Sequence, residues 1–147
     1  MKNSKLYYMC YINSLKKYAI NYLSKYDSSK KNLERILNNK INKLKQIKIN
    51  EKNDLRQKVN NIIKELEEKK IIDDESFAHR KLSFLINQGN SENFIKYNLI
   101  KKGIDKNLIY KILKNFEHNH PDWKLESAKK FVIKKKLGNL GKNNEKT

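Results

Sequence analysis

The amino-acid sequence predicts an all-α fold of tandem three-helix repeats forming an elongated array. Three observations carry that expectation. Apolar side chains recur at helical spacing in one segment after another, most cleanly at Leu55, Val59, Ile62, Ile63 and Leu66. Glycine (4) and proline (1) are too scarce for the many tight turns of a β-rich chain of 147 residues. A block of two capped helices at residues 71–104 also has a looser copy 62 residues upstream. With 37% apolar and 34% charged residues, any core is thin and spread along the chain. That suits small repeated units better than a single globe.

The elements follow in order. Residues 1–13 are an N-terminal extension containing the apolar run Leu6–Ile12. A first helix starts at or before Ser14 and runs to about Lys25, with Leu15, Tyr18, Ala19, Tyr22 and Leu23 on one face. Ser28 or Ser29 caps the next helix, because a hydroxyl there can accept from the unsatisfied N–H groups of the first turn. That helix carries Leu33, Ile36, Leu37 and Ile41. Residues 42–54 are a Lys/Asn-rich insertion that either extends it or loops out, and a third helix spans about Asp54–Lys69. The first repeat is thus residues 14–70.

The second repeat covers residues 71–117. Asp73 is its N-cap, with Ile72 and Phe77 placed as a hydrophobic staple. Asp74 and Glu75 then fall in the first turn, where the helix dipole favours negative charge. The acidic island thereby has a structural duty. The helix continues through Ala78, Leu82, Leu85 and Ile86 until Gly89-Asn90 breaks it, and Ser91 caps the next. Phe94, Ile95, Tyr97, Leu99 and Ile100 surround that next helix, which predicts a middle helix packed on most sides. Lys102-Gly103 ends it, glycine being suited to the left-handed position after a helix. A last stripe, Leu108, Ile109, Ile112, Leu113 and Phe116, belongs to a helix over about Asp105–Phe116.

Across the offset, Tyr22 matches Phe84, Leu23 matches Leu85, Ser29 matches Ser91, Leu33 matches Ile95, Leu37 matches Leu99 and Lys40 matches Lys102. After the punctuation of residues 118–122, a helix over about Lys124–Lys136 carries Leu125, Ala128, Phe131 and Val132. It reads as the opening of a third repeat (122–140) that stops short, as in a fragment, followed by a polar tail at 141–147.

Charge narrows the function classes. Residues 1–64 hold 16 basic against 4 acidic side chains, residues 65–76 hold 2 against 6, and residues 77–147 hold 16 against 6. A net charge of +18 favours polyanions, since each lysine set against a phosphate releases a condensed counterion. The lone Cys10 rules out an internal disulfide and points to a reducing, cytoplasmic setting. Leu6–Ile12 is too short to span a bilayer and no small-residue cleavage site follows it, so neither a membrane nor export is expected.

The residues themselves resemble a family. A hydrophobic pair before Asp73-Asp74, then Phe77-Ala78, Gly89, Ser91, Ile95, Leu99 and Lys102-Gly103-Ile104, in order and ungapped, is similar to RecX, the regulator of the RecA recombinase. Tyr22-Leu23, Ser28-Ser29, Leu33 and Leu37 look like that family's first repeat, and Ala128 with Lys134–Gly138 like the opening of its third. The resemblance implies a curved array lying in the groove of the RecA–DNA filament. There it would modulate, most often inhibit, filament extension, strand exchange and ATP hydrolysis. It implies no catalytic centre, no cofactor and no small-molecule substrate, and a monomer that meets DNA through the filament or directly. Positions often basic in relatives are Ser83 and Leu85 here.

The residues expected to touch RecA or DNA are Arg80, Lys81, Lys96, Lys101, Lys102, Lys129, Lys130, Lys134, Lys135 and Lys136. Other chemistry finds little support. His118, His120 and Asp122 lack further ligands at metal spacing and read as solvated loop residues. Gly138 and Gly141 precede no Lys-Ser/Thr pair, and Asp73, Asp74 and Glu75, being consecutive, fan apart and do not converge as a nuclease needs. Helical spacing assigns most aromatic residues to core positions, so stacking on unpaired bases is not expected of them. Tyr7, Tyr8 and Tyr11 lie outside the repeats with no role assigned. The alternative function is a basic helical nucleic-acid-binding module independent of RecA.

Overall fold

A computed structural model describes the backbone of residues 2–144 and the side chains of residues 5–136. Among the described residues there are seven α-helices and no strand. They are α1 (Lys2–Lys25), α2 (Lys30–Asn42), α3 (Ile49–Glu68), α4 (Asp74–Asn87), α5 (Glu92–Lys101), α6 (Lys106–Asn119) and α7 (Trp123–Asn144). The chain divides into two compact units, Met1–Asp74 and Glu75–Thr147, each with its own apolar core. The fold is all-α and built from helical repeats.

In the first unit, Leu33, Leu37 and Ile41 of α2 are wholly buried with Leu55, Val59, Ile62, Ile63 and Leu66 of α3 and Leu15 and Ala19 of α1. Each large aliphatic side chain so removed from water contributes about 1.5–3 kcal/mol before entropy is subtracted. Helix α1 starts at Lys2, so residues 2–13 are helical, and Tyr8, Tyr11 and Ile12 pack against this core. The Lys/Asn-rich stretch resolves into a short turn between α2 and α3. Helix α3 starts at Ile49, five residues before the expected Asp54, because Glu51 reaches back to accept from the Lys48 N–H at 3.3 Å. This is the returning half of a capping box.

The second unit repeats the plan. Phe77, Ala78, Leu82, Leu85 and Ile86 of α4 close over Ile95 and Leu99 of α5 and Ile109, Ile112 and Leu113 of α6. The matched serines cap alike, Ser29 accepting from the Asn32 N–H at 3.2 Å and Ser91 from the Phe94 N–H at 3.3 Å. Three helices end with the same pair of bonds. In α3 the N–H groups of Lys70 and Ile71 reach back to Glu67 and Leu66, in α4 those of Gly89 and Asn90 to Ile86 and Leu85, and in α5 those of Gly103 and Ile104 to Ile100 and Leu99. The left-handed residue is glycine at Gly89 (φ 80°) and Gly103 (φ 82°), but lysine at Lys70 (φ 56°).

Several expectations change. Ile72 joins the first core and Phe77 the second, so each is held by its own unit and not simply as a local staple. Asp74 does more than lie in the first turn of α4. Its carboxylate accepts from the Lys30 N–H at 2.8 Å and so serves the start of α2, 44 residues away. Helix α5 is not packed all round: Phe94, Tyr97 and Ile100 are exposed while Ile95 and Leu99 are buried. Ten residues give less than three turns, and the neighbouring helices cover only the Ile95–Leu99 side. His118 lies in the last turn of α6, and the His120 ring stacks on Phe116 at 4.5 Å. Helix α7 continues through Gly138 and Gly141 to Asn144, into what the pattern had marked as a polar tail.

Candidate functional site

The basic residues expected to make contacts all lie in the second unit or its α7 helix. Arg80, Lys101, Lys102, Lys129, Lys130, Lys134, Lys135 and Lys136 are exposed, and Lys81 and Lys96 are half-buried. Phe77, Ala78, Ile95 and Leu99 are buried beneath them, while Asp73 and Ser91 stand exposed at helix starts. The apolar scaffold residues therefore lie inward and most of the contact candidates outward, with Asp73 and Ser91 at the surface and Lys81 and Lys96 half-buried.

The lysines differ in how available they are. Lys96 is engaged with Glu92 at 3.1 Å, one turn back on α5. Lys81 lays its ammonium over the Phe84 ring at 5.4 Å from the centroid, and Lys135 does the same over Phe131 at 5.1 Å. Such cation–π contacts keep the ammonium facing water while the ring is shielded. The lysines of α7 follow the helical advance of about 100° per residue, so they spread round the helix instead of lining one stripe. A partner gripping α7 would meet positive charge from whichever side it came.

Acidic residues hold the frame. Glu92 receives both Lys96 and Lys124, the latter at 2.8 Å, and these two donors hold its carboxyl below the usual range. The hydrogen bond to Glu92 in turn raises Lys124. Lys124 thus fastens the start of α7 to the start of α5, a contact that the sequence had not marked. Lys111 pairs with Glu75 at 3.2 Å. In the first unit Glu65 takes Lys16 at 2.8 Å and Lys69 at 3.0 Å, and their hydrogen bonds lower it to about 2. Asp74 moves the other way, raised by burial despite the Lys30 N–H.

Helix α7 is anchored at one end. Trp123 is buried in the second core, and the Ser127 hydroxyl donates to the Asn90 carbonyl at 2.8 Å. Leu125 between these anchors, and Phe131, Val132 and Ile133 beyond them, are about half exposed. A cleft runs between α5 and α7, walled by Phe94, Trp123, Ala128, Phe131 and Val132. Gly89 lets the two segments meet there. A Cβ at that position would lie 3.0 Å from the Phe131 nitrogen and 3.1 Å from the Ser127 oxygen.

With this geometry in place, the chain can be set beside solved structures. It is similar to RecX from Lactobacillus salivarius, with a TM-score of 0.64 and 24% identity, covering 90% of this chain and 75% of that one. The fold is RecX-like. No protein-family model matches the chain, and no curated protein does. The likeness spans both units, so the RecX-like arrangement of helices extends beyond the ungapped block around Asp73–Gly103 that first suggested it. No helix among the described residues is long and apolar enough to cross a membrane.

What sequence reasoning missed at this surface are the interlocking partners. Lys124 stood beside the lysines of α7 with no mark to separate it, since its acceptor Glu92 lies 32 residues upstream. A signal was present in the repeat. Lys30 and Glu92 are equivalent by the 62-residue offset, and each sits at a helix start that takes a charged group from the second helix after its own, Asp74 of α4 in one case and Lys124 of α7 in the other.

Proposed function

We propose that this chain is a regulator of the RecA recombinase that binds in the groove of the RecA–DNA filament. It restrains filament extension, ATP hydrolysis and strand exchange, and so acts on recombination and DNA repair in the cytoplasm. It works by occupancy, without a catalytic centre or cofactor, and as a monomer. Helix α7 opens a third repeat in this reading.

The observation that carries the proposal is the RecX-like fold across nine-tenths of the chain, joined to the ordered Asp73–Gly103 pattern. Charge supports it independently. A chain at +18 is drawn to a polyanionic filament, and the exposed Arg80 of α4, Lys101 and Lys102 at the end of α5 and the lysines of α7 can meet phosphates or acidic protein surface. Arg80, Lys101, Lys102, Lys129, Lys130, Lys134, Lys135 and Lys136 are the contacts we assign, with Lys81 and Lys96 adjusting to the partner by leaving Phe84 and Glu92.

The test is binding of the fluorescently labelled chain to single-stranded DNA with and without RecA and a slowly hydrolysed nucleotide. The proposal predicts much tighter binding to the RecA–DNA filament than to DNA alone at the same salt. Equal affinity for both would instead establish the second reading, a nucleic-acid-binding module independent of RecA, which the charge alone favours. In that case affinity falls steeply and linearly on a log–log salt plot.

A further inference from the structure

Tyr7, Tyr8 and Tyr11 take no part in the proposed regulatory surface, yet the first unit gathers them into a cleft. They line it from α1, while Glu51, Asp54 and Leu55 line it from the start of α3 and Ile47 from the turn before. Tyr7 and Tyr11, one turn apart, stand edge to face with centroids at 4.9 Å, and the Tyr11 hydroxyl donates to that of Tyr7 at 3.0 Å. Leu55 is wholly buried and gives the cleft an apolar base.

The two carboxylates are unusual in their setting. Residues 1–64 hold 16 basic side chains and only 4 acidic ones, and two of those four line this cleft. Asp54 makes no ion pair among the described residues. One oxygen of Glu51 takes the Lys48 N–H, and the other makes no ion pair among the described residues. Both carboxylates act on the phenols. Burial and then Asp54 raise Tyr8, and the Tyr7 hydrogen bond, burial and Glu51 raise Tyr11. Aromatic faces and carboxylates attract positive charge, whereas a phosphate strand would be repelled. The aromatic and apolar walls suit an organic cation, whose carbon stem can pack on them, better than a metal ion with its bound water.

We propose that the Tyr7–Tyr8–Tyr11 cleft, with Glu51 and Asp54, binds an organic cation, either a guanidinium or an alkylammonium group. The geometry of this site stands whether or not the chain acts on RecA. Lys5, which also lines the cleft, competes as the chain's own cation. The surrounding positive charge weakens capture of a free cation. An arginine or lysine side chain of a protein already held elsewhere on the chain gains effective concentration and is the favoured source.

The experiment follows the ring resonances of Tyr7, Tyr8 and Tyr11 in the whole chain by NMR. The titrants are N-acetyl-arginine methylamide, its uncharged citrulline counterpart, and spermidine. Saturating shifts are expected with the cations and none with citrulline. Stronger response to the arginine amide assigns a protein side chain, and stronger response to spermidine assigns a free polyamine. Glu51→Gln with Asp54→Asn should abolish saturation, the glutamine keeping the backbone cap. Tyr7→Leu, at a half-exposed position, should weaken binding about fivefold. Circular dichroism confirms that helix content is kept, and if the double variant loses it, Tyr7→Leu decides alone. No saturation with either cation, an equal response to citrulline, or unchanged binding in the folded variants overturns the proposal.

Discussion

Lys70 shows how a single residue can stand against its backbone. It occupies the left-handed turn after α3 at φ 56°, where the equivalent turns of α4 and α5 use glycine. Lys70→Gly removes that strain and should stabilise the first unit by about 0.5–1 kcal/mol, measured by urea unfolding. Gly89→Ala goes the other way. It meets both a positive φ and backbone of α7 at 3.0 Å, and should destabilise the second unit by about 2–3 kcal/mol. Glycine was legible in the sequence as a stop at both Gly89 and Gly103. The close approach of α7 was not, because nothing near Gly89 in the chain announces Ser127 or Phe131.

Titration also belongs at this scale. Glu65 ionises at about 2 against an ordinary 4.5 because Lys16 and Lys69 hydrogen-bond to it. A lowered carboxyl contributes stability that is present above pH 4.5 and is lost as pH falls toward about 2. Glu92 is lowered in the same way by Lys124 and Lys96. Asp74 is raised by burial, so its share of stability grows as pH falls through its raised value toward 3.8. Carboxyl NMR titration should place the Glu65 midpoint near 2, and Lys16→Ala should move it up toward 4.5. An unmoved midpoint would remove Lys16 as the leading cause.

Among the elements, the helix starts after Ser29 and Ser91 were readable in the sequence, and the faces of α5 and of outer α7 were not. Ser29 and Ser91 cap as expected, since the hydroxyl and the first-turn N–H groups lie three residues apart. Ser29 is wholly buried and Ser91 is exposed, so water can replace the second hydroxyl but not the first. Ser29→Ala should therefore cost about 2 kcal/mol and Ser91→Ala about 1 kcal/mol by thermal or urea unfolding. Helix α5 misled because its apolar residues occupy all sides, and periodicity cannot tell packing against this chain from packing against nothing in it. Only burial separates Ile95 and Leu99 from Phe94, Tyr97 and Ile100. Helix α7 presents the same problem beyond its anchor at Trp123 and Ser127.

At the scale of the whole molecule, two cores mean two units of stability. Leu37→Ala, at a wholly buried site, should cost about 2–5 kcal/mol. Hydrogen exchange should show that loss chiefly in α1, α2 and α3, with Ile95→Ala doing the same in α4, α5 and α6. The repeat, the all-helical class and most of both cores could be read from spacing alone, because a 3.6-residue period records which side is buried. The candidate contact residues could be named but not ranked. Lysines carry no periodic signature, and their ion pairs join residues far apart in the chain, as Lys124 joins Glu92.

RecA's DNA-dependent ATPase tests most directly the regulation of RecA that we propose from net charge and the RecX-like fold. Added to preformed RecA filaments on single-stranded DNA, the chain should lower the rate of ATP hydrolysis at or below one molecule per RecA. Glutamate at Lys129, Lys130 and Lys134 should relieve that inhibition while leaving helix content unchanged. ATP hydrolysis and strand exchange that both proceed at the full rate under saturating amounts of the folded chain would contradict the account.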